Sequence, residues 1–238
     1  MNDLLEENNY YTKRLHVHTS CIYLTNFFKT MGHIEKSAKF GENYNPWRIT
    51  ASLIFMRKLT LDDINFLSNY LKFDKEFKAV LVGFIDKFVS ELWCGFDTKE
   101  NKLKLYVFHN DIAKCIVKQE NKYTIYNYTY KVATVADCIK VVGKIIINNY
   151  LRFFQFMNRP CIMKNDTVYF DFRHEQKPLK YRKIQIQHLI YTVCSNKMKI
   201  HNWLIENENN ILHWIGLSKG NITIYVIAYT HIAPLCNQ

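Results

Sequence analysis

The sequence predicts an α+β fold: β-hairpins alternate with amphipathic helices and close into an antiparallel β-barrel of repeated αββα units with the helices outside. Three observations predict it. Helical and hairpin patterns alternate along the 238 residues, the second strands of the hairpins echo one another, and the aromatic content of 15%, with 16 Tyr and 16 Phe, calls for an enclosed place to put the rings. A chain of this length can bury one sizeable core, and the expectation is a single domain spanning residues 1–238.

The helices come first. "LTLDDINFLSNYLKF" carries Ile64, Leu67 and Leu71 on one stripe behind a cap at Thr60 or Asp62, and "DKEFKAVLVGFIDKFV" has the same period. "TVADCIKVVGKIIINNYLRFFQF" predicts a long helix. "YRKIQIQHLIYTVCSNKMKIHNWLIENENN" predicts one long helix or two shorter ones. Four strand pairs lie between them: "IEKSAKF" with "WRITASLIF", "ELWCGF" with "KLKLYVF", "CIM" with "TVYFDF", and "HWIGL" with "ITIYVIAY", each joined by turn residues. The segment "DIAKCIVKQENKYTIYNYTYK" leaves little room for helices; it reads either as a short helix followed by a strand or as a full hairpin of a degenerate repeat.

The second strands share a pattern. "KLKLYV", "NDTVYF" and "NITIYV", with "NKYTIY" as a fourth, each place Lys or Thr two residues before Tyr: Lys104/Tyr106, Thr167/Tyr169, Thr223/Tyr225 and Thr124/Tyr126. The preceding strands match in part, since Trp93-Cys-Gly95 resembles Trp214-Ile-Gly216. A period of two puts these tyrosines on one face of each strand and the aliphatics on the other. With helices over the aliphatic face, closure turns the Lys/Thr/Tyr face into the wall of a lumen, and closure also removes vulnerable sheet edges.

Composition limits the partners. A net charge of +11 suits nucleic acid, an acidic membrane surface or a small polyanion, and it also follows from an A/T-rich coding bias, so charge alone decides little. Seven cysteines without a C-x-x-C pair read as reduced thiols. The acidic start "MNDLLEENNYY" lacks an apolar segment, and the most apolar run is broken by Lys144, Asn148, Asn149 and Arg152. The expectation is a soluble cytoplasmic protein without a membrane span.

Repeated helix–hairpin–helix units with a Lys-x-Tyr strand resemble the aromatic prenyltransferases of the αββα (ABBA, or PT-barrel) type. Within that group the chain looks most like the ribosomal-peptide, cyanobactin-type members. The motifs that carry the likeness are Glu35, Ser37 and Lys39 at two-residue steps in "HIEKSAKF", Arg48 on the next strand, Lys104 with Tyr106, and the closing hairpin "LSKGNITIYVIAY". The chain departs from the family in being shorter and in having Thr at several positions that are basic in other members.

The resemblance implies transfer of a dimethylallyl-type group from a prenyl diphosphate to a peptide side chain or terminus, or to a small aromatic acceptor. Glu35 would be the base that takes the acceptor's proton. Arg48, Lys104 and Arg173, then Lys39 and Lys122, would hold the diphosphate by charge. Tyr106, Tyr126, Tyr169, Tyr225 and Tyr229 would shield the allylic cation with their ring faces, and Trp93 and Trp214 would wall the acceptor. Dimethylallyl diphosphate is the expected co-substrate, with Mg²⁺ assistance allowed but no ligand pattern for it. Plainer readings stand beside these: Glu35 as a surface carboxylate paired with Lys39, Lys104 as a solvated lysine, Arg173 as a strand end. The pair His16/His18 has no third ligand in view, so no metal site is assigned. Two rival functions remain open. One is a nucleic-acid-binding protein using Tyr/Lys strands as stacking platforms; the other is a non-catalytic barrel for an apolar ligand.

Overall fold

Alternation of side chains across each strand decides which residues face the helices and which do not. The computed structural model describes residues 17, 19–42, 44–72, 74–97, 102–109, 112–119, 122–142, 161–164 and 166–232, with backbone only at 47, 130, 135, 138, 139, 142 and 229–232. The strands are β1 (Met31–Gly41), β2 (Asn45–Lys58), β3 (Phe88–Asp97), β4 (Lys102–His109), β5 (Ile112–Gln119), β6 (Lys122–Val132), β7 (Cys161–Lys164), β8 (Thr167–Asp171), β9 (Ile211–Ser218) and β10 (Asn221–Ile232). They hydrogen-bond in the closed order β1-β10-β9-β8-β7-β6-β5-β4-β3-β2, which makes an antiparallel β-barrel. The helices are α1 (19–28), α2 (Leu61–Tyr70), α3 (Lys75–Val82), α4 (Val135–Val142), α5 (Lys183–Ile190) and α6 (Lys197–Glu206).

By density of contacts the chain divides into two compact units: Met1–Gly32 with Thr50–Tyr128 and His231–Gln238, and His33–Ile49 with Thr129–Thr230. In the first unit, α2 begins at Thr60, whose side chain caps Asp63 while Asp63 caps back. Arg57 forks onto the same carboxylate at 2.6 and 2.7 Å and lies 4.2 Å above the Phe55 ring. Burial alone would raise the Asp63 pKa, but the bonds from Arg57 and Thr60 outweigh it and hold the carboxyl below its ordinary value. A lowered folded-state pKa stabilises the fold above the unfolded-state pKa and ceases to do so as pH falls through the folded one. Asp63→Ala should therefore cost about 1–3 kcal/mol at neutral pH, with the gap to the parent protein narrowing in acid; urea unfolding across a pH series measures it. The rings of α1 and α2 stack on one another, with Tyr23 5.0 Å from Tyr70.

One expected element is shorter than its pattern, and one open alternative is decided. The α3 segment does not stay helical to Val89: Gly83 ends the helix, Asp86 takes a positive φ of 62°, and alternate burial begins with exposed Phe88 and buried Val89. For "DIAKCIVK", open between a short helix and part of a hairpin, the hairpin is what forms. The segment is the strand β5, which pairs with β4 residue for residue from Lys102↔Gln119 to His109↔Ile112. Among the described residues, no helix separates strands β3 to β6.

In the second unit the core gathers Ala38 and Phe40 from β1, Val168 and Phe170 from β8, Ile215 and Leu217 from β9, and Ile222 and Ile224 from β10, against Ile186, Leu189, Ile200 and Leu204 of α5 and α6. Each large side chain buried this way contributes about 1.5–3 kcal/mol. The predicted run from Tyr181 to Asn210 holds two helices, the second capped by the Asn196 side chain on Lys199 N at 3.1 Å. Of the long helix predicted for 134–156, Val135–Val142 is helical, while 143–160 lie outside the described residues, as do His16 and His18. Among the described residues, no helix is long and apolar enough to cross a membrane.

Candidate active site

Within the first unit, strands β4, β5 and the Lys122–Tyr128 stretch of β6 build one candidate site. Their helix-facing side chains are easily recognised. Lys114 sits 5.4 Å over Phe84, Lys118 donates to Lys72 O at 3.1 Å, and Tyr123 packs beside Phe77 of α3. The alternate side chains point the other way and line a cavity of about 490 Å³: Lys102, Lys104 and Tyr106 from β4, Cys115, Val117 and Gln119 from β5, and Lys122, Thr124, Tyr126 and Tyr128 from β6. Among the described residues the lining holds three ammonium groups, from Lys102, Lys104 and Lys122, and no carboxylate. Those ammonium groups offer charge for an anion.

The aromatic side of this cavity is ordered by strand pairing. Tyr126 and Tyr128 stack at 6.1 Å, and burial pushes the Tyr128 phenol up to about 12, with Cys115 and Tyr126 adding to the effect, so it remains a neutral donor. Trp93 lies directly across from Tyr106 in the ladder, 4.7 Å from the Phe108 ring, and donates its indole N–H to Glu91 at 2.6 Å. Two thiols of the same unit, Cys21 and Cys94, are raised to about 12 by burial, which leaves them poor nucleophiles.

The second unit holds a separate constellation. His33, Glu35, Ser37 and Lys39 share the face of β1 opposite core residues Ala38 and Phe40. Glu35 and His213 are 3% and 4% exposed, and His213 Nδ1 hydrogen-bonds to Glu35 Oε2. A strict period of two would send His213 into the core with Ile215 and Leu217. The β9–β10 register instead steps from Tyr225↔Trp214 to Val226↔Leu212, leaving His213 as the extra residue of a bulge. That bulge re-aims the imidazole toward Glu35. The His33 ring meets the His213 ring edge-on at 5.3 Å.

Beside it, Tyr169 lies 6.1 Å from Tyr225 and 6.3 Å from Trp214. Gly216 lets them approach, since a Cβ there would come within 3.1 Å of Tyr169 Cε1 and 3.4 Å of Tyr225 Cε2. Gly216→Leu should cost about 1–3 kcal/mol through overpacking, and Gly216→Ala less; chemical denaturation of both variants measures the difference. Arg173 stands 4.4 Å over Trp214, with its guanidinium held by Asp171 at 2.8 and 3.1 Å. Burial pulls the Asp171 pKa upward, but the Arg173 bonds hold it below its ordinary value.

The predicted residues therefore fall into two sets. Lys104, Lys122, Tyr106 and Tyr126 line one cavity with Trp93 alongside Tyr106, while Glu35, Trp214, Tyr169, Tyr225 and Arg173 cluster in the other unit. Lys39 and Arg48 are half-buried on β1 and β2. The Tyr229 side chain lies outside the described residues.

Comparison with known proteins bears on the fold. A solved structure, PriB in binary complex with product diphosphate, aligns over 82% of this chain and 79% of that one, with a TM-score of 0.52 and 9% identity. The fold is that of the ABBA prenyltransferase barrel. No protein-family model and no curated protein matches the chain.

Sequence reasoning missed His33, Lys102, Tyr128 and His213 as neighbours of the predicted residues. Lys102 and Tyr128 merely extend the two-residue steps already seen at Lys104/Tyr106 and Thr124/Tyr126, and His33 stands one step before Glu35. No sequence signal marks the bulge that brings in His213.

Proposed function

We propose that the chain is a prenyltransferase that moves a dimethylallyl-type group from its diphosphate to a nucleophilic side chain or terminus of a peptide, or to a small aromatic acceptor. The observation that carries this reading is the cavity in which three lysines stand among tyrosine rings, on strands of an ABBA-type barrel. The allylic C–O bond breaks with its electron pair going to the leaving diphosphate, whose growing charge Lys102, Lys104 and Lys122 stabilise electrostatically. Tyr106 and Tyr126 flank the cation with their ring faces and keep water from it. The acceptor forms the new bond to the allylic carbon, and its proton passes to a base, the role assigned to Glu35.

The deciding experiment incubates the purified protein with dimethylallyl diphosphate and a panel of tyrosine-, tryptophan- and serine-containing peptides and free aromatics. It reads the prenyl mass increment together with released diphosphate. Product that forms with wild-type protein and fails to form with the Lys104→Ala/Lys122→Ala double variant supports the proposal; no increment on any acceptor across donors of one to three isoprene units overturns it.

A second reading has one observation in its favour. β6 is exposed along Thr124 to Asn127, so its stacked Tyr126/Tyr128 pair can serve as a base-stacking platform. It predicts single-strand binding that falls steeply with added salt, which the transferase reading does not require.

A further inference from the structure

We propose that His33, Glu35 and His213 form a binding site for a divalent transition metal of the Zn²⁺ class. One ligand atom from each residue, a ring nitrogen from each histidine and a carboxylate oxygen from Glu35, lies within 4.8 Å of the other two. Tetrahedral zinc with bonds of about 2.0–2.1 Å sets its ligands roughly 3.3 Å apart, so small side-chain rotations close the set around an ion. Two imidazoles with one carboxylate are the donor types that Zn²⁺ and Co²⁺ favour, and three protein ligands leave a fourth position open to water or substrate.

The fold holds these groups where a cation would stabilise them. His33 and Glu35 stand two residues apart on one face of β1, and the β9 bulge supplies His213. Glu35 is 3% exposed, and among the described residues its one hydrogen bond is to His213. A buried carboxylate with a single partner is costly, and a metal ion between it and two imidazoles relieves that cost. The His33 Nε2 is itself shielded from solvent.

The site goes beyond the transferase reading and does not depend on it. The two meet at Glu35, because a carboxylate bound to metal no longer accepts a proton; saturating Zn²⁺ should then slow any transfer. Binding itself is read without a donor or acceptor. Protein stripped with a chelator and dialysed is titrated with Co²⁺, following the visible d–d bands of the tetrahedral ion, and the stoichiometry is checked by elemental analysis after Zn²⁺ loading. The expected result is one ion per chain, with affinity about a hundredfold or more weaker in His33→Asn and in His213→Asn. His33 is half-buried, so should His213→Asn fail to fold, His33→Asn alone decides. No stoichiometric uptake overturns the proposal. Uptake that is unchanged in the folded variants, or that carries the near-ultraviolet charge-transfer band of a cobalt thiolate, overturns it as well.

Discussion

Glu35→Gln should abolish prenyl transfer, a fall of about 10²–10⁴-fold typical of losing a positioned general base, while the far-ultraviolet circular dichroism stays that of the parent. The amide keeps the shape of the carboxylate and can still accept the hydrogen bond from His213 Nδ1, so the buried pair remains joined. What disappears is the ability to take the acceptor's proton. Running the assay with a chelator separates this role from any metal held by the same oxygens. A Glu35→Gln protein that transfers at the parental rate would remove Glu35 from the chemistry.

The second large effect concerns charge in the cavity. Lys104→Ala should lower transfer by about 10²–10³-fold, the usual consequence of losing one preorganised charge at a developing anion, and Lys104→Arg should restore part of it. Lys114 provides the control. It belongs to the adjacent strand but lies on the helix-facing side, over Phe84, so Lys114→Ala should leave the rate near that of the parent. Steady-state kinetics at several donor concentrations distinguish lost binding from lost transition-state stabilisation.

Much of the architecture could be read from the sequence because period-two alternation is a strong local signal. Leu105 and Val107 are buried, and Lys104 and Tyr106 turn into the cavity, as the pattern "KLKLYV" requires. The four quoted strand pairs and the Thr60 cap were legible for similar reasons. The β5–β6 hairpin was harder. "DIAKCIVK" is apolar along both faces, with Ala113, Cys115 and Ile116 all fully buried, so neither period dominates. The α3 segment ran too long because its apolar spacing continues past Gly83. The Glu35–His213 pair, 178 positions apart, depends on a bulge that no local pattern announces. The charge of Arg173 suits a diphosphate, yet Asp171 two residues earlier holds its fork, a pairing that the strand period does not reveal.

Titration calorimetry with unreactive dimethylallyl thiolodiphosphate decides whether the face of β4–β6 turned away from the helices is an anion-binding wall. The expected result is saturable binding of one molecule per chain, weakened about tenfold or more, roughly 1.4 kcal/mol, by Lys104→Ala or Lys122→Ala, and unaltered by Lys114→Ala or Lys118→Ala. Absence of saturable binding, or equal losses from lysines on the two faces, would contradict it.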